Sequence, residues 1–161
     1  MIDGDYYGER KSMSKEQINM WDAAQLFAQG KGFGDVLDIA QGTKDSLYSV
    51  AVVDYESKRY EKAVRGLKLL VLTDPKNADY WSLMGNALKD LGMYQEALSA
   101  WYMAMSADPK LKTALVITRV AIAIKNKLWA SEGLVMALAH LGNNPKDKED
   151  YQKLIDAYEK L

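Results

Sequence analysis

The sequence predicts an all-α fold: an α-α superhelix of three helical hairpins, with N-terminal helices before it and a C-terminal capping helix after it. Three observations predict this. The chain has only three prolines, Pro75, Pro109 and Pro145, each following Asp or Asn, and 34 residues separate the first two. Displacing the sequence by that interval superposes Tyr60-Glu61-Lys62-Ala63 on Tyr94-Gln95-Glu96-Ala97, Leu67 on Trp101, Leu70 on Ala104 and Asp74-Pro75 on Asp108-Pro109. Between these breaks apolar residues recur every three or four positions, the period of a helix with one buried face. A supersecondary unit of fixed length needs its helix breaker at a fixed phase, so the prolines act as a ruler.

Residues 1–13 read as a flexible polar tail and residues 14–43 as an N-terminal helical segment. There, Ser14 to Gln17 fits a capping box ahead of a stripe of Ile18, Trp21, Ala24 and Ala28. Gly30-Lys31-Gly32-Phe33-Gly34 breaks that helix, a short one follows through Val36, Leu37 and Ile39, and Thr43 is expected to cap the first repeat helix. The hairpins are placed at 44–77, 78–111 and 112–145. In the second, Trp81, Leu83, Met84, Ala87, Leu88 and Leu91 make one stripe, Gly92 permits the turn, and Tyr94, Ala97, Leu98, Trp101 and Met105 make the other. Gly85 and Ala97 are small enough for the two backbones to approach, with Trp81 and Trp101 filling the space beside them. A further displacement of 34 reaches Leu128, Ser131, Val135 and Leu138 and places Asn143 where a proline is expected, so the third unit is degenerate. Residues 146–161 form a polar amphipathic helix with Tyr151, Leu154, Ile155 and Tyr158 turned inward, a solvating cap for the array.

Composition excludes several function classes. At 161 residues, 48% hydrophobic and 27% charged, the chain can bury one sizeable core. Zero Cys removes disulfides, thiol catalysis and zinc-thiolate sites, and the single His140 is too little for a His-based metal site or a His-paired nucleophile. Lys+Arg 21 against Asp+Glu 22 gives a net charge of -1, which argues against capture of nucleic acid or anionic lipid. The N-terminus has no export-signal pattern, and the longest apolar stretch, Ala114 to Ile124, is broken by Thr118 and Arg119 and falls short of the roughly 20 residues a membrane span needs. A cytoplasmic protein without direct membrane insertion is expected.

Candidate chemical motifs have simpler readings. Gly30 to Gly34 lacks both the dinucleotide-binding spacing and the Lys-Ser/Thr pair of a phosphate loop, and reads as a connector. Asp3 and Asp5 lack the rest of a calcium loop. Asp147, Glu149 and Asp150 stand at a helix N-terminus, where carboxylates favour the dipole, and His140 stands near a helix C-terminus, where a cation does. No catalytic residue, cofactor or metal is expected, and the chain reads as no enzyme.

With Trp81, Gly85, Tyr94, Ala97, Trp101, Ala104 and Pro109 at the signature positions of the second unit, the chain resembles the tetratricopeptide repeat family. The first unit has Leu47, Ala51, Tyr60, Ala63, Leu67, Leu70 and Pro75 at those positions; the third keeps Leu115, Val135 and Leu138 but has Arg119 where a small residue is usual. The resemblance implies a right-handed array whose concave face, lined by the first helix of each unit, binds a partner. In this chain that face would carry Tyr48, Val52 and Tyr55, then Leu83, Asn86 and Lys89, then Val116, Ile117, Val120 and Ile124. Relatives that clamp a C-terminal carboxylate need Lys and Asn in the first unit and Lys and Arg in the third, whereas Tyr48, Val52, Thr113 and Ile117 stand there. A groove apolar at its ends and polar in its middle suits an extended peptide with hydrophobic anchors.

The order and length of the flanking segments narrow the resemblance to the class II, or translocator, chaperones of bacterial type III secretion, of the LcrH/SycD type. Such a resemblance implies a chaperone that uses no ATP and holds hydrophobic pore-forming translocator proteins soluble before export, gripping an extended segment near their N-termini. It implies that Tyr48 and Tyr55 line an anchor pocket with Leu83 and Asn86 further along, and that Ile18, Trp21 and Ala24 are candidates for a homodimer contact. Two alternatives stand beside it: a general protein-protein scaffold joining folded partners, and a chaperone of needle or export-apparatus subunits that grips an amphipathic helix.

Overall fold

The computed structural model describes residue 29 and residues 39–161. The N-terminal tail, the capping box at 14–17, the candidate dimer residues Ile18, Trp21 and Ala24, the break at 30–34 and the start of the short helix at 36–37 lie outside the described residues. Those described form seven α-helices and no strand: α1 (Gln41–Glu56), α2 (Tyr60–Thr73), α3 (Ala78–Asp90), α4 (Tyr94–Ala107), α5 (Leu111–Ala123), α6 (Lys127–Ala139) and α7 (Pro145–Tyr158). Each helix packs on the next, and α1 also touches α3 while α5 touches α7. Thus α1, α3, α5 and α7 make one layer, and α2, α4 and α6 the other. No helix among the described residues is long and apolar enough to cross a membrane.

Sequence explains the element ends. Three-residue turns join the two helices of every hairpin, each carrying one residue at positive φ: Lys58 at 59°, Gly92 at 78° and Lys125 at 56°. The left-handed conformation lets the chain leave one helix and enter the next without a long loop. Asn77 caps α3 by accepting from the backbone N–H groups of Asp79 and Tyr80, and Asn126 and Asn144 cap α6 and α7 in the same manner. Pro145 occupies the first turn of α7, where its missing N–H costs nothing. Thr43 is not the cap of α1: the helix begins at Gln41, after Ala40, and Ile39 is irregular.

The core runs through all three hairpins. Ala63, Leu67 and Leu70 of α2, Ala87 of α3, Ala97 and Leu98 of α4, Ala114, Ile117 and Ala121 of α5, and Ala130 and Ala137 of α6 are fully buried, and Leu154 of α7 closes the end. Trp101 lies over Gly85, where a Cβ would stand 2.5 Å from its indole nitrogen. The half-buried Trp81 donates its indole N–H to the carbonyl of Pro75 at 2.8 Å, tying the second hairpin to the end of the first.

The third hairpin departs from the expected register. Helix α3 begins at 78 and α5 at 111, α4 at 94 and α6 at 127, so the true displacement is 33. The lost residue is in the linker: Asp74-Pro75-Lys76-Asn77 precedes α3, but only Asp108-Pro109-Lys110 precedes α5. The capping Asn is what is missing, and Lys110 supplies no side-chain cap. Thr118, rather than Arg119, therefore faces the partner helix, and the glycine at the contact has moved across to Gly133. A Cβ on Gly133 would meet the backbone nitrogen and Cα of Thr118 at 2.9 and 3.0 Å as well as its hydroxyl. Ile117 is a core residue with no exposure, whereas Val135 and Leu138, expected inside, are 66% and 59% exposed.

Two outcomes follow for stability. Gly133→Ala forces backbone apart and lowers the unfolding free energy by about 1–3 kcal/mol, whereas Gly42→Ala, with nothing within 4 Å of the added methyl, raises it by up to about 1 kcal/mol; urea melts of both check the sign. Lys110→Asn restores the missing cap at an extended position, φ -132° and ψ 131°, and is expected to gain about 1 kcal/mol in the same measurement, since the exposed Lys110–Asp108 pair it removes contributes little.

Candidate functional site

On α1, Tyr48, Val52 and Tyr55 follow one another at spacings of four and three, so all three share one helix face. All are half-buried. Tyr48 packs on the buried ring of Tyr80 from α3, with centroids 5.2 Å apart and planes at 44°. Tyr55 donates its hydroxyl to Asp90 Oδ2 of α3 at 2.9 Å and packs at 5.5 Å on Tyr60, the first residue of α2. These contacts hold α1 against α3. Burial, the hydrogen bond to Asp90 and the negative charge of that carboxylate together push the Tyr55 hydroxyl up to about 12, and burial raises those of Tyr48 and Tyr80.

Helix α3 supplies Leu83, Asn86 and Lys89, all half-buried. The last two already have work inside the protein. Asn86 Oδ1 accepts the indole N–H of Trp101 at 3.2 Å, which orients the amide and leaves its NH2 without a partner among the described residues. Lys89 Nζ lies 2.9 Å from Asp90 Oδ1, so Asp90 receives both the ammonium and the Tyr55 hydroxyl. Polar atoms in the middle of the face are thereby fixed before any partner arrives.

The structure separates the four third-unit residues expected on the face: Ile117 is in the core, and the other three divide between two clefts. Val116 lines a cleft of about 510 Å3 between α5 and α7 with Leu111, Leu115, Lys112 and Arg119 of α5 and Lys146, Asp147 and Asp150 of α7. Val120 lies in another, of about 450 Å3, with Lys89, Asp90, Tyr94, Ala123 and Ile124. In the 33-residue register Arg119 is the counterpart of Asn86 and Lys112 that of Asp79, so both belong to the face. Sequence reasoning missed them because it placed Arg119 between the helices; the small residues Ala130, Gly133 and Ala137 were the available signal for the shorter period. Among the described residues no group of three His, Asp or Glu side chains is placed to hold a metal ion.

An array of tetratricopeptide-like hairpins presenting a preformed face of aromatic, aliphatic and fixed polar groups is the class of molecule these observations define. The sequence matches no protein-family model and no curated protein. Solved structures do share the fold. The Yersinia enterocolitica type III secretion translocator chaperone SycD is 21% identical with a TM-score of 0.65, covering 82% of this chain and 99% of SycD. SycD in complex with a peptide of the translocator YopD gives 22% and 0.63, covering 76% and 94%. PcrH, a Pseudomonas aeruginosa protein, in complex with the chaperone binding region of PopD gives 18% and 0.62, covering 76% and 92%.

The tyrosine pKa has a measurable consequence. A hydroxyl whose folded-state pKa lies above its unfolded value of 10.0 favours folding through its protonated form; that contribution is whole below pH 10 and is lost as pH rises through about 12. The melting temperature is expected to fall between these values, and Tyr55→Phe to flatten that part of the curve, read by circular dichroism at pH 9, 10 and 11.

Proposed function

We propose that this chain is a cytoplasmic chaperone of type III secretion translocators that binds an extended apolar segment of its client across α1, α3 and α5 and keeps the client from aggregating before export. It works by binding and needs no nucleotide. The observation that carries the reading is the coincidence of the SycD and PcrH fold, solved with translocator segments bound, with a face on which Tyr48, Val52, Tyr55, Leu83 and Val116 stand half-buried. An extended segment can seat alternate apolar side chains between such residues while the free amide of Asn86 bonds its backbone. Each well-buried anchor contributes about 1–3 kcal/mol, so three or four suffice for a tight complex.

Lys89 serves by holding Asp90, and through it Tyr55, in place. Lys112 and Arg119 extend the face toward α7, where Asp147 and Asp150 share their cleft. Ile18, Trp21 and Ala24 are proposed as the homodimer contact.

Co-expression with the membrane-active proteins encoded beside the gene tests the proposal. Tagged wild-type chaperone is expected to recover soluble client, and Val52→Glu with Leu83→Glu to reduce recovery by about tenfold or more while the melting temperature of the chaperone stays within a few degrees. A stably folded double variant that recovers client as well as the wild type overturns the groove assignment.

A further inference from the structure

A second surface sits at the turn of the first hairpin. There a cleft of about 340 Å3 is lined by Lys58, Arg59, Lys62 and Arg65, with Tyr60 and Leu91 as its apolar walls. One carboxylate, Glu61, shares it. Arg59 is paired with Asp54 at 2.7 Å, but no carboxylate lies within ion-pair distance of Lys58, Lys62 or Arg65 among the described residues. In a chain of net charge -1 this is a concentrated positive site.

Three features of the cluster work against local stability. Lys58 holds the left-handed conformation at φ 59°, which a residue with a Cβ adopts at a cost. Lys62 lies in the first turn of α2, where the helix dipole favours anions. Lys62 and Arg65, spaced by three, stack like charges along one side of α2, and Lys58 in the turn before it lines the same cleft. The second hairpin is an internal control: at the equivalent positions it has Gly92, Glu96 and Ser99, each of which relieves one of these conflicts. The hairpin therefore does not require the cations. Local rules broken without a folding gain are the mark of a functional surface.

We infer that this cleft is a docking site for an acidic protein segment, carboxylates flanking an apolar residue, on a partner other than the groove-bound client. Charge complementarity selects the carboxylates, and the Tyr60 and Leu91 walls take the apolar side chain. A ligand that offered only phosphate would leave those walls unused.

Fluorescence anisotropy on the full chain tests this with a labelled peptide of Glu and Asp around a single Leu, against the same peptide with Gln and Asn in their place. The acidic peptide is expected to bind and its amide analogue not, with affinity falling severalfold as salt screens the site between 50 and 200 mM. Lys62→Glu with Arg65→Glu should weaken binding about tenfold or more. Lys58→Gly should weaken it less while raising the melting temperature by about 2–4 °C. Val52→Glu should leave this affinity unchanged, so failure here and failure of the groove assignment are separable. Equal binding of the amide analogue, undiminished binding by the folded charge-reversal variant, or tighter binding of a single-stranded DNA of matched charge overturns the inference.

Discussion

The close approach of the two helices within each hairpin is the constraint on which the rest of the structure depends. In the second hairpin it is met by Gly85 beneath Trp101, and in the third by Thr118 against Gly133, so the missing side chain changes helix while the spacing survives. That exchange is possible because only the sum of the two side chains is fixed by packing. The consequences reach the surface. With Trp101 seated over Gly85, its indole N–H meets Asn86, the next residue of α3. A core contact thus orients a side chain of the candidate face.

Much of the fold was legible in the sequence because Pro75 and Pro109 end their helices at one phase, and the stripes between them belong to the same hairpin repeated. The third unit was misread for a physical reason. The linker that sets the ruler is itself one residue shorter before α5, lacking the counterpart of Asn77. One residue turns a helix by about 100°. Ile117 thereby passes from the groove to the core, Arg119 from the helix contact to the groove, and Val135 and Leu138 from the core to solvent. Thr43 was misread as a cap because a hydroxyl residue near a helix start is a strong local signal; α1 instead begins after Ala40, with its first amides bonded to that residue's carbonyl.

The candidate face was legible in its residues and less so in their contacts. Tyr48, Val52, Tyr55 and Leu83 share the face because their helical spacing puts them there. Spacing carries no information about which polar atoms are already engaged. Lys89 and the hydroxyl of Tyr55 converge on Asp90, the latter across the boundary between α1 and α3, so groups that read as free for a ligand are engaged within the protein. A face built this way has its polar middle engaged within the protein and leaves chiefly apolar side chains open.

The repeats permit one further step. Three copies of one hairpin obey the same packing rules, so a residue that differs among them at a position with no packing role reports a demand from outside the fold. Gly92 fits the left-handed turn best, yet Lys58 and Lys125 hold it in the flanking hairpins. Lys58 alone is joined there by Lys62 and Arg65, at the edge where Tyr60 begins α2 and lies 5.5 Å from Tyr55 of the groove. Tyr60 is thus common to both surfaces, with one side against the groove residue and the other forming a wall of the basic cleft. The groove face and the basic cleft therefore adjoin at this aromatic contact.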